Sequence, residues 1–346
     1  MHSSPVAVSI VTFNSERYIG PCLESLLSQD PAPAEIIVVD NASIDGTREI
    51  LNRFRGRVQF VFNDTNVGFC EGHNQAIALS KSAWVLTLNP DVLVARGFVD
   101  ALAQAGEADP RVGIVCGKLR QLNHDLTEPV PTRFDSTGIY FNNELRHFDR
   151  GWGEPDVGQY DRPEYVFGAT GAAALFRREM IDGISNSGAF FDEAFFAYRE
   201  DADVAWRAQL LGWRCLYTPD AVASHVRQVR PGSRARVPAL INMHSVKNRF
   251  LMRVKNLTPD VWQVCRTKTL WRDLLVIGGC LLTEPSSLPA FLRFARALPR
   301  ALRDRRTILS RRAVDIDLAP WFSGTGRQPR ETYSPAPVAE IAGRRS

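Results

Sequence analysis

A chain of 346 residues, 45% hydrophobic and 23% charged, can bury one large core or two smaller ones and is too apolar to be disordered. Its net charge of +4 is small, so nucleic acid is not expected as a partner and only local charge clusters carry information. The six cysteines, Cys22, Cys70, Cys116, Cys215, Cys265 and Cys280, form no C-x-x-C pair, which argues against zinc and dithiol motifs and for buried thiols of a reducing compartment.

The amino terminus has no basic n-region, and its apolar run Val6 to Val11 is short and β-branched; no signal peptide is read there, and a cytoplasmic location is expected. The first half then alternates strand and helix. Strands are predicted at Val6 to Phe13, Glu35 to Asp40, Val58 to Phe62 and Trp84 to Leu88, each rich in β-branched or aromatic residues. Between them, Arg17 to Gln29 carries Ile19, Cys22, Leu23, Leu26 and Leu27 at helical spacing, a second helix begins near Asp45 with Ser43 or Asp45 as cap, and a third spans Glu71 to Leu79. This βαβ pattern implies an α/β fold, a mostly parallel sheet with helices on both faces.

Ligands of such sheets bind beyond the carboxyl ends of the strands. Here those ends read Thr12-Phe13-Asn14, Asp40-Asn41-Ala42-Ser43, Asn63 to Gly68, and Asn89-Pro90-Asp91, a rim of amides and carboxylates. Neither G-x-G-x-x-G nor a P-loop occurs, so phosphates would be held another way. A strand-end carboxylate such as Asp91 can ligate Mg²⁺ or Mn²⁺, although Pro90-Asp91 alone also reads as an ordinary turn.

Residues 190 to 225 hold the densest set of reactive groups. Val204, Ala205, Ala208 and Leu211 recur at helical spacing before Gly212, which predicts a helix over Asp201 to Leu211. Glu200 and Asp201 lie at its amino end, where the helix dipole favours ionised carboxylates able to accept a proton; any ordinary helix also carries acids in its first turn. Asp203 and Arg207, four apart, are expected to pair on the outer face. Past His225, Arg227, Arg230, Arg234 and Arg236 form a basic loop that either closes over a diphosphate or is simply solvated. Trp152 and Trp206 could stack on a sugar ring or pack in the core.

Beyond residue 237 the pattern becomes helical. Ser245 to Val254 reads as a basic amphipathic helix, and Leu274 to Leu282 is an apolar run too short to span a bilayer. Phe291, Phe294, Ala295, Leu298 and Leu302 form an apolar stripe opposite Arg293, Arg296, Arg300 and Arg303, with Pro299 expected to kink or divide the helix. Such a module suits an anionic membrane surface, and equally a helical appendix packed on the rest of the chain. The tail from Ser323, rich in Pro, Gly and Arg, is expected to be disordered.

The ordered set VSIVTFN, EIIVVDNASIDGT, NVGFCEGHNQAI, LTLNPDV, TGAAALFRREMI, FFDEAFFAYREDADVAWRAQLLGWR and His225 resembles family 2 glycosyltransferases of the GT-A fold, and is most similar to the bacterial rhamnosyltransferase-like branch. The resemblance covers roughly residues 5 to 230 and implies a catalytic domain over 1–236; the helical pattern adds a module over 237–322, at a membrane surface or packed on the rest, and composition a tail over 323–346. The resemblance also implies that Asp40 bonds a pyrimidine ring, with Thr12 and Asn14 in the same base pocket, and that Asn66, Gly68, Asn74, Asn89, Arg227 and Arg230 line the nucleotide-sugar site. Asp91 and His225 would hold Mg²⁺ or Mn²⁺, and Asp201, beside Glu200, would be the base. The family's Asp-x-Asp has Asn89 in its first position here, one negative charge fewer beside the ion.

The activity implied is inverting transfer from a nucleotide-diphosphate sugar, dTDP-rhamnose first and a UDP-hexose next, to a hydroxyl of a glycan or lipid-linked acceptor in cell-surface polysaccharide synthesis. The corresponding location is cytoplasmic, with peripheral contact at the inner face of the plasma membrane. Two other classes stay open. A catalytically silent relative would only bind a glycan or partner, which Asn89 permits; a sugar-nucleotide nucleotidyltransferase would need a Gly-rich basic loop after strand one, which TFNSERYIG lacks.

Overall fold

The computed structural model describes residues 4–227, 239–314 and 316–323; Arg230, Arg234, Arg236 and the tail after Ser323 lie outside the described residues. Strand β1 (Ser4–Thr12) leads through α1 (Glu16–Leu27) to β2 (Pro33–Asp40), then α2 (Thr47–Asn52), β3 (Gln59–Phe62), α3 (Gly68–Leu79) and β4 (Trp84–Leu88). There follow β5 (Val92–Val94), α4 (Phe98–Glu107), β6 (Val112–Gln121), β7 (Phe134–Ser136), β8 (Ile139–Phe141), β9 (His147–Asp149) and β10 (Glu164–Val166). The remaining elements are β11 (Ala173–Arg177), α5 (Arg178–Ile184), α6 (Glu200–Leu210), β12 (Arg214–His225), α7 (Ala239–Asn256), α8 (Pro259–Leu282), α9 (Pro289–Ser310) and α10 (Pro320–Ser323).

The main path of the sheet runs β10-β12-β6-β11-β4-β1-β2-β3. Within it β1, β2, β3, β4, β6 and β12 share one direction, and only β10 and β11 run against it. The central strands are buried on both faces, which is why their sequences are runs of Val, Ile and Leu instead of alternating patterns. One apolar cluster joins α1, α2 and α4 to one face, and a second joins α3, α5 and α6 to the other. Antiparallel β11 was not among the predicted strands. It slots between β4 and β6, so its leading residues Gly171 and Ala172 arrive beside the carboxyl end of β4.

Two expectations are overturned by packing. Asp203 and Arg207 do pair, at 2.9 Å, but both are buried, because α7 covers that side of α6. On α9, Phe291 and Phe294 turn inward onto Phe250 of α7, and α9 continues through Pro299 undivided. Leu292 and Leu302 of α9 stay exposed, and most of the exposed apolar surface of this region lies on α8, which buries only a narrow stripe of Val261, Cys265, Thr269, Val276 and Cys280. Among the described residues no single helix is long and apolar enough to cross a membrane; α8 and the segment 285–310 meet at 111°. All six cysteines are free and buried.

Candidate active site

The parallel register sets Thr12 opposite Asp40 at the ends of β1 and β2. Arg48 Nε donates to Asp40 Oδ2 at 2.6 Å, and the Ser43 N–H donates to the same oxygen at 3.2 Å. Asp40 Oδ1 and Thr12 Oγ1 are buried without a partner, which leaves two acceptors for a donor group of a ligand. Asn14 sits at φ 51°, a conformation Asn tolerates, and ties the two loops together: its N–H donates to Ser43 Oγ and its Oδ1 accepts from the Ile44 N–H, both at 2.9 Å. Arg48 was not anticipated. It stands in the first turn of the short helix α2, where a single Arg carries no signal of its own.

At the start of α3, Asn66 Oδ1 accepts from the Gly68 N–H at 2.9 Å. Gly68 has φ +88°, and a Cβ there would lie 2.5 Å from the Phe196 ring, so only glycine fits. Asn74 spends both ends of its amide on Phe191, donating to its carbonyl and accepting from its N–H at 2.9 Å. Asn66 and Asn74 therefore bond protein backbone, and Asn74 fastens α3 to the loop that precedes α6.

Strand β5 pairs His225 with Val92, which brings the preceding residue, Asp91, to the imidazole. His225 Nε2 lies 3.3 Å from Asp91 Oδ1, and Nδ1 lies 2.8 Å from Asp135 Oδ2. Burial opposes a charge on this ring, yet Asp135 and Asp91 on its two sides raise it to about 10. Neighbouring ligands of a six-coordinate ion stand about 3 Å apart when metal–ligand bonds are about 2.1 Å, so Asp91 and His225 fit two adjacent positions. Asp135 supplies the carboxylate that fixes the tautomer of a ligating histidine. Among the described residues no group of three or more His, Cys, Asp or Glu could hold a metal ion, so the protein offers this pair alone. Asn89 stands at the same turn, its N–H donating to the Ala172 carbonyl at 2.9 Å.

Asp135 was missed because it lies 90 residues from His225 on a short strand with no motif around it. Arg227, read from the sequence as either closing over a diphosphate or simply solvated, is engaged by protein: Nε lies 2.8 Å from Asp135 Oδ1, and Nη1 donates to Asp149 at 2.7 Å. Its guanidinium lies over the Trp152 ring, 4.7 Å from the centroid. Trp206 is wholly buried against Phe141 and Phe322, a core residue.

Glu200 and Asp201 open α6 as expected, but the helix dipole does not decide their charge. Burial first, then the neighbouring Asp201, pushes the Glu200 carboxyl up to about 8. Asp201 is raised as well by burial, against the N–H groups of Gly171 and Ala202, which donate to its two oxygens at 3.1 and 2.7 Å. A carboxylate raised in this way and held on both oxygens is a fixed and competent proton acceptor. Gly171 precedes Ala172, whose carbonyl accepts from Asn89, so a few bonds connect the base candidate to the Asp91 turn. The loop before α6 holds Phe196, Tyr198 and Arg199 at positive φ. Such a backbone persists only when its surroundings impose it. Asn248 of α7 does so, its Nδ2 lying within hydrogen-bond reach of the carbonyls of Phe195, Ala197 and Tyr198; Lys247 donates to the Ala194 carbonyl.

The fold thus brings a strand-end carboxylate, Asp91, a paired histidine, His225, and the carboxylates that open α6 to the loops around the ends of the sheet strands. The description "Glycosyl transferase family 2" matches residues 7–184, and the chain belongs to that family. It is 26% identical over 249 residues to the N-acetylglucosaminyl-diphospho-decaprenol L-rhamnosyltransferase of Mycobacterium tuberculosis (strain ATCC 25618 / H37Rv), covering 63% of this chain and 75% of that protein. GalNAc-T7 with UDP, GalNAc and Mn²⁺ superposes with a TM-score of 0.57 at 14% identity, over 75% of this chain and half of that one. Staphylococcus aureus TarS 1-349 in complex with UDP-GlcNAc gives 0.52 at 17% identity, over 88% and 90%. The two structural likenesses establish the GT-A fold.

Proposed function

We propose that this chain is an inverting glycosyltransferase that moves a sugar from a nucleotide-diphosphate donor, dTDP-rhamnose before a UDP-hexose, to a hydroxyl of a glycan or lipid-linked acceptor in cell-surface polysaccharide synthesis. The observation that carries the reading is the Asp91–His225 pair at 3.3 Å, backed by Asp135 and joined through Ala172 and Gly171 to Asp201. The rhamnosyltransferase relative supports the choice of donor sugar.

In this reading Thr12 and Asp40 receive the base of the nucleotide. Asp91 and His225 hold a divalent ion, Mg²⁺ or Mn²⁺, whose chemistry is to neutralise charge on the departing diphosphate. Asp201 accepts the proton of the acceptor hydroxyl as its oxygen bonds the anomeric carbon and the bond to the diphosphate breaks. No covalent sugar–enzyme bond is needed.

The test is incubation with a panel of nucleotide sugars and Mg²⁺ or Mn²⁺, following release of nucleoside diphosphate. Metal-dependent release from one donor is expected, with dTDP-rhamnose first. In calorimetric titration, Asp91→Ala should weaken binding of the nucleoside diphosphate, as should EDTA with the wild type. Equal affinity with and without EDTA removes the metal, and no release or binding with any donor removes the activity.

A further inference from the structure

Helix α8 is covered on one side only. Val276 and Cys280 of its inner stripe pack with Met243 and Val246 of α7 and Ala290 of α9. The other side carries Trp271, Leu274, Leu275, Leu281 and Leu282, from 51 to 85% exposed, at spacings that place them on one helix face. Exposed leucines continue past the corner where α8 and the segment 285–310 meet at 111°, with Leu288 and Leu292 at 37 and 57%. From Leu274 to Leu282 no side chain is charged. A contiguous apolar face of this kind is unusual on a protein surface and marks a binding surface.

The surrounding charge decides between occupants. Residues 259–314 carry eleven Lys and Arg against four Asp and Glu. Three of those acids are already engaged: Asp260 by Arg312, Asp273 by Arg249 and Arg253 of α7, and Asp304 by Arg300. Arg266, Lys268, Arg293, Arg296, Arg303 and Arg306 are exposed, and among the described residues none of them meets a carboxylate at ion-pair distance. A second copy of this surface would bring like charges together. An anionic bilayer offers hydrocarbon to the leucines and phosphate to the cations.

The order of side chains along α8 matches the depth profile of such a bilayer. Starting from its carboxyl end, Leu282, Leu281, Leu275 and Leu274 come first, then Trp271, then Lys268 and Arg266. At about 1.5 Å per residue the leucines extend over about 12 Å, within the roughly 15 Å of hydrocarbon in one leaflet. An indole ring favours the interface next to them, and cations favour the anionic headgroups beyond it.

We infer that the corner between α8 and α9 docks on an anionic lipid bilayer and enters one leaflet, with Leu281 and Leu282 in hydrocarbon, Trp271 at the interface and Lys268 and Arg266 among the headgroups. The anchor is this corner and not the stripe on α9, whose Phe291 and Phe294 are turned onto Phe250. It stands apart from the transferase reading, since no residue of the candidate active site takes part.

Flotation of the full chain with phosphatidylcholine vesicles, with and without phosphatidylglycerol, tests it. The chain should float with the anionic vesicles and bind neutral ones, or either kind in high salt, roughly tenfold or more weakly. Leu281→Gln with Leu282→Gln should weaken binding to anionic vesicles by roughly a hundredfold. Arg266→Gln with Lys268→Gln should weaken it by roughly tenfold and leave neutral vesicles unaffected. Leu302→Gln, farther along α9, should change nothing. All these side chains are exposed, so an unchanged melting temperature reports an intact fold. Because the six native cysteines are buried, a nitroxide attached through Leu282→Cys or Lys268→Cys reports depth. The first should be accessible to oxygen in the hydrocarbon, and the second to a water-soluble nickel chelate. Binding indifferent to the leucine pair, equal binding to neutral vesicles in high salt, or a dimer lost in the leucine variant with no vesicle binding would each overturn the assignment. Failure of the transferase reading looks different: no nucleotide would bind or react while the chain still floated with anionic vesicles.

Discussion

The two sides of the cleft are held in place by different means. On the nucleotide side, Thr12, Asn14, Asp40 and Asp91 each stand at a strand end or within three residues of one. Asn14 and Asp40 bond the adjoining loop and helix, as from Asn14 to Ser43 and Ile44, and Asp91 meets His225 at the end of the neighbouring β12. On the other side, the loop before Asp201 follows no strand and adopts positive φ at three non-glycine residues. It is held there by α7, through Asn248, Lys247 and Lys255. A sheet edge positions side chains by topology alone, whereas a strained loop needs a clamp from elsewhere in the chain. Changes on the nucleotide side should therefore act on binding, and changes on the clamped side on chemistry and stability.

The largest effect should come from Asp201→Asn, which keeps size and removes the proton acceptor. Turnover should fall by roughly 10² to 10⁴ with donor affinity nearly unchanged. Both are to be measured on one sample. Turnover within a few-fold of wild type would move the base elsewhere, with Glu200 the next residue to test, and would blur the division between the two sides.

Next in size is a stability effect with no counterpart on the nucleotide side. Asp203 accepts from Arg207 Nε at 2.9 Å, Lys255 Nζ at 3.1 Å and Asn256 Nδ2 at 2.8 Å, all buried. Asp203→Asn leaves two buried cations short of their shared carboxylate and should cost about 3 kcal/mol, since breaking a buried pair exposes the unpaired partner to its full desolvation penalty. The urea midpoint should fall at constant slope. An unchanged midpoint would mean that α7 and α6 are not energetically joined.

How much of this could be read from the sequence follows the same division. The four predicted strands, the rim at their ends and the Glu200-Asp201 start of a helix were legible, because each is a local pattern of period, punctuation and charge. Arg48 escaped notice although it sits only eight residues from Asp40, since one Arg in a helix carries no signal of its own. Asp135 and Asn248 act over 90 and about 50 residues, distances at which periodicity says nothing. The inward turn of Asp203 and of Phe291 has one cause: an amphipathic pattern shows that a face is apolar or charged, but not which element will cover it.

Asn248→Ala isolates the clamp. Nδ2 is close to three carbonyls, at 2.9, 2.9 and 2.7 Å, and its loss should cost about 1 to 2 kcal/mol and lower kcat roughly tenfold while KM for the donor holds. Asn248→Asp, which cannot donate from that position, should do no better. A variant that lost donor affinity in step with kcat would show that the loop serves both sides.

The smallest effect concerns Glu200, whose Oε2 is buried without a partner. Burial and the adjacent Asp201 hold its carboxyl at about 8 against an ordinary 4.5. The folded protein thus keeps a proton that the unfolded chain has already released, so the stability this proton contributes is complete below about pH 4.5 and is lost as pH rises toward about 8. Glu200→Gln imitates the protonated form at every pH. Its melting temperature should match wild type near pH 4.5, rise above it progressively through the window, and stay above it beyond pH 8, while turnover at pH 7 changes by no more than a few-fold. If wild type gained stability against the variant across that window, Glu200 would be ionised in the fold, the helix dipole would have outweighed burial, and the clamped side would owe its carboxylates to local structure in the way the nucleotide side does.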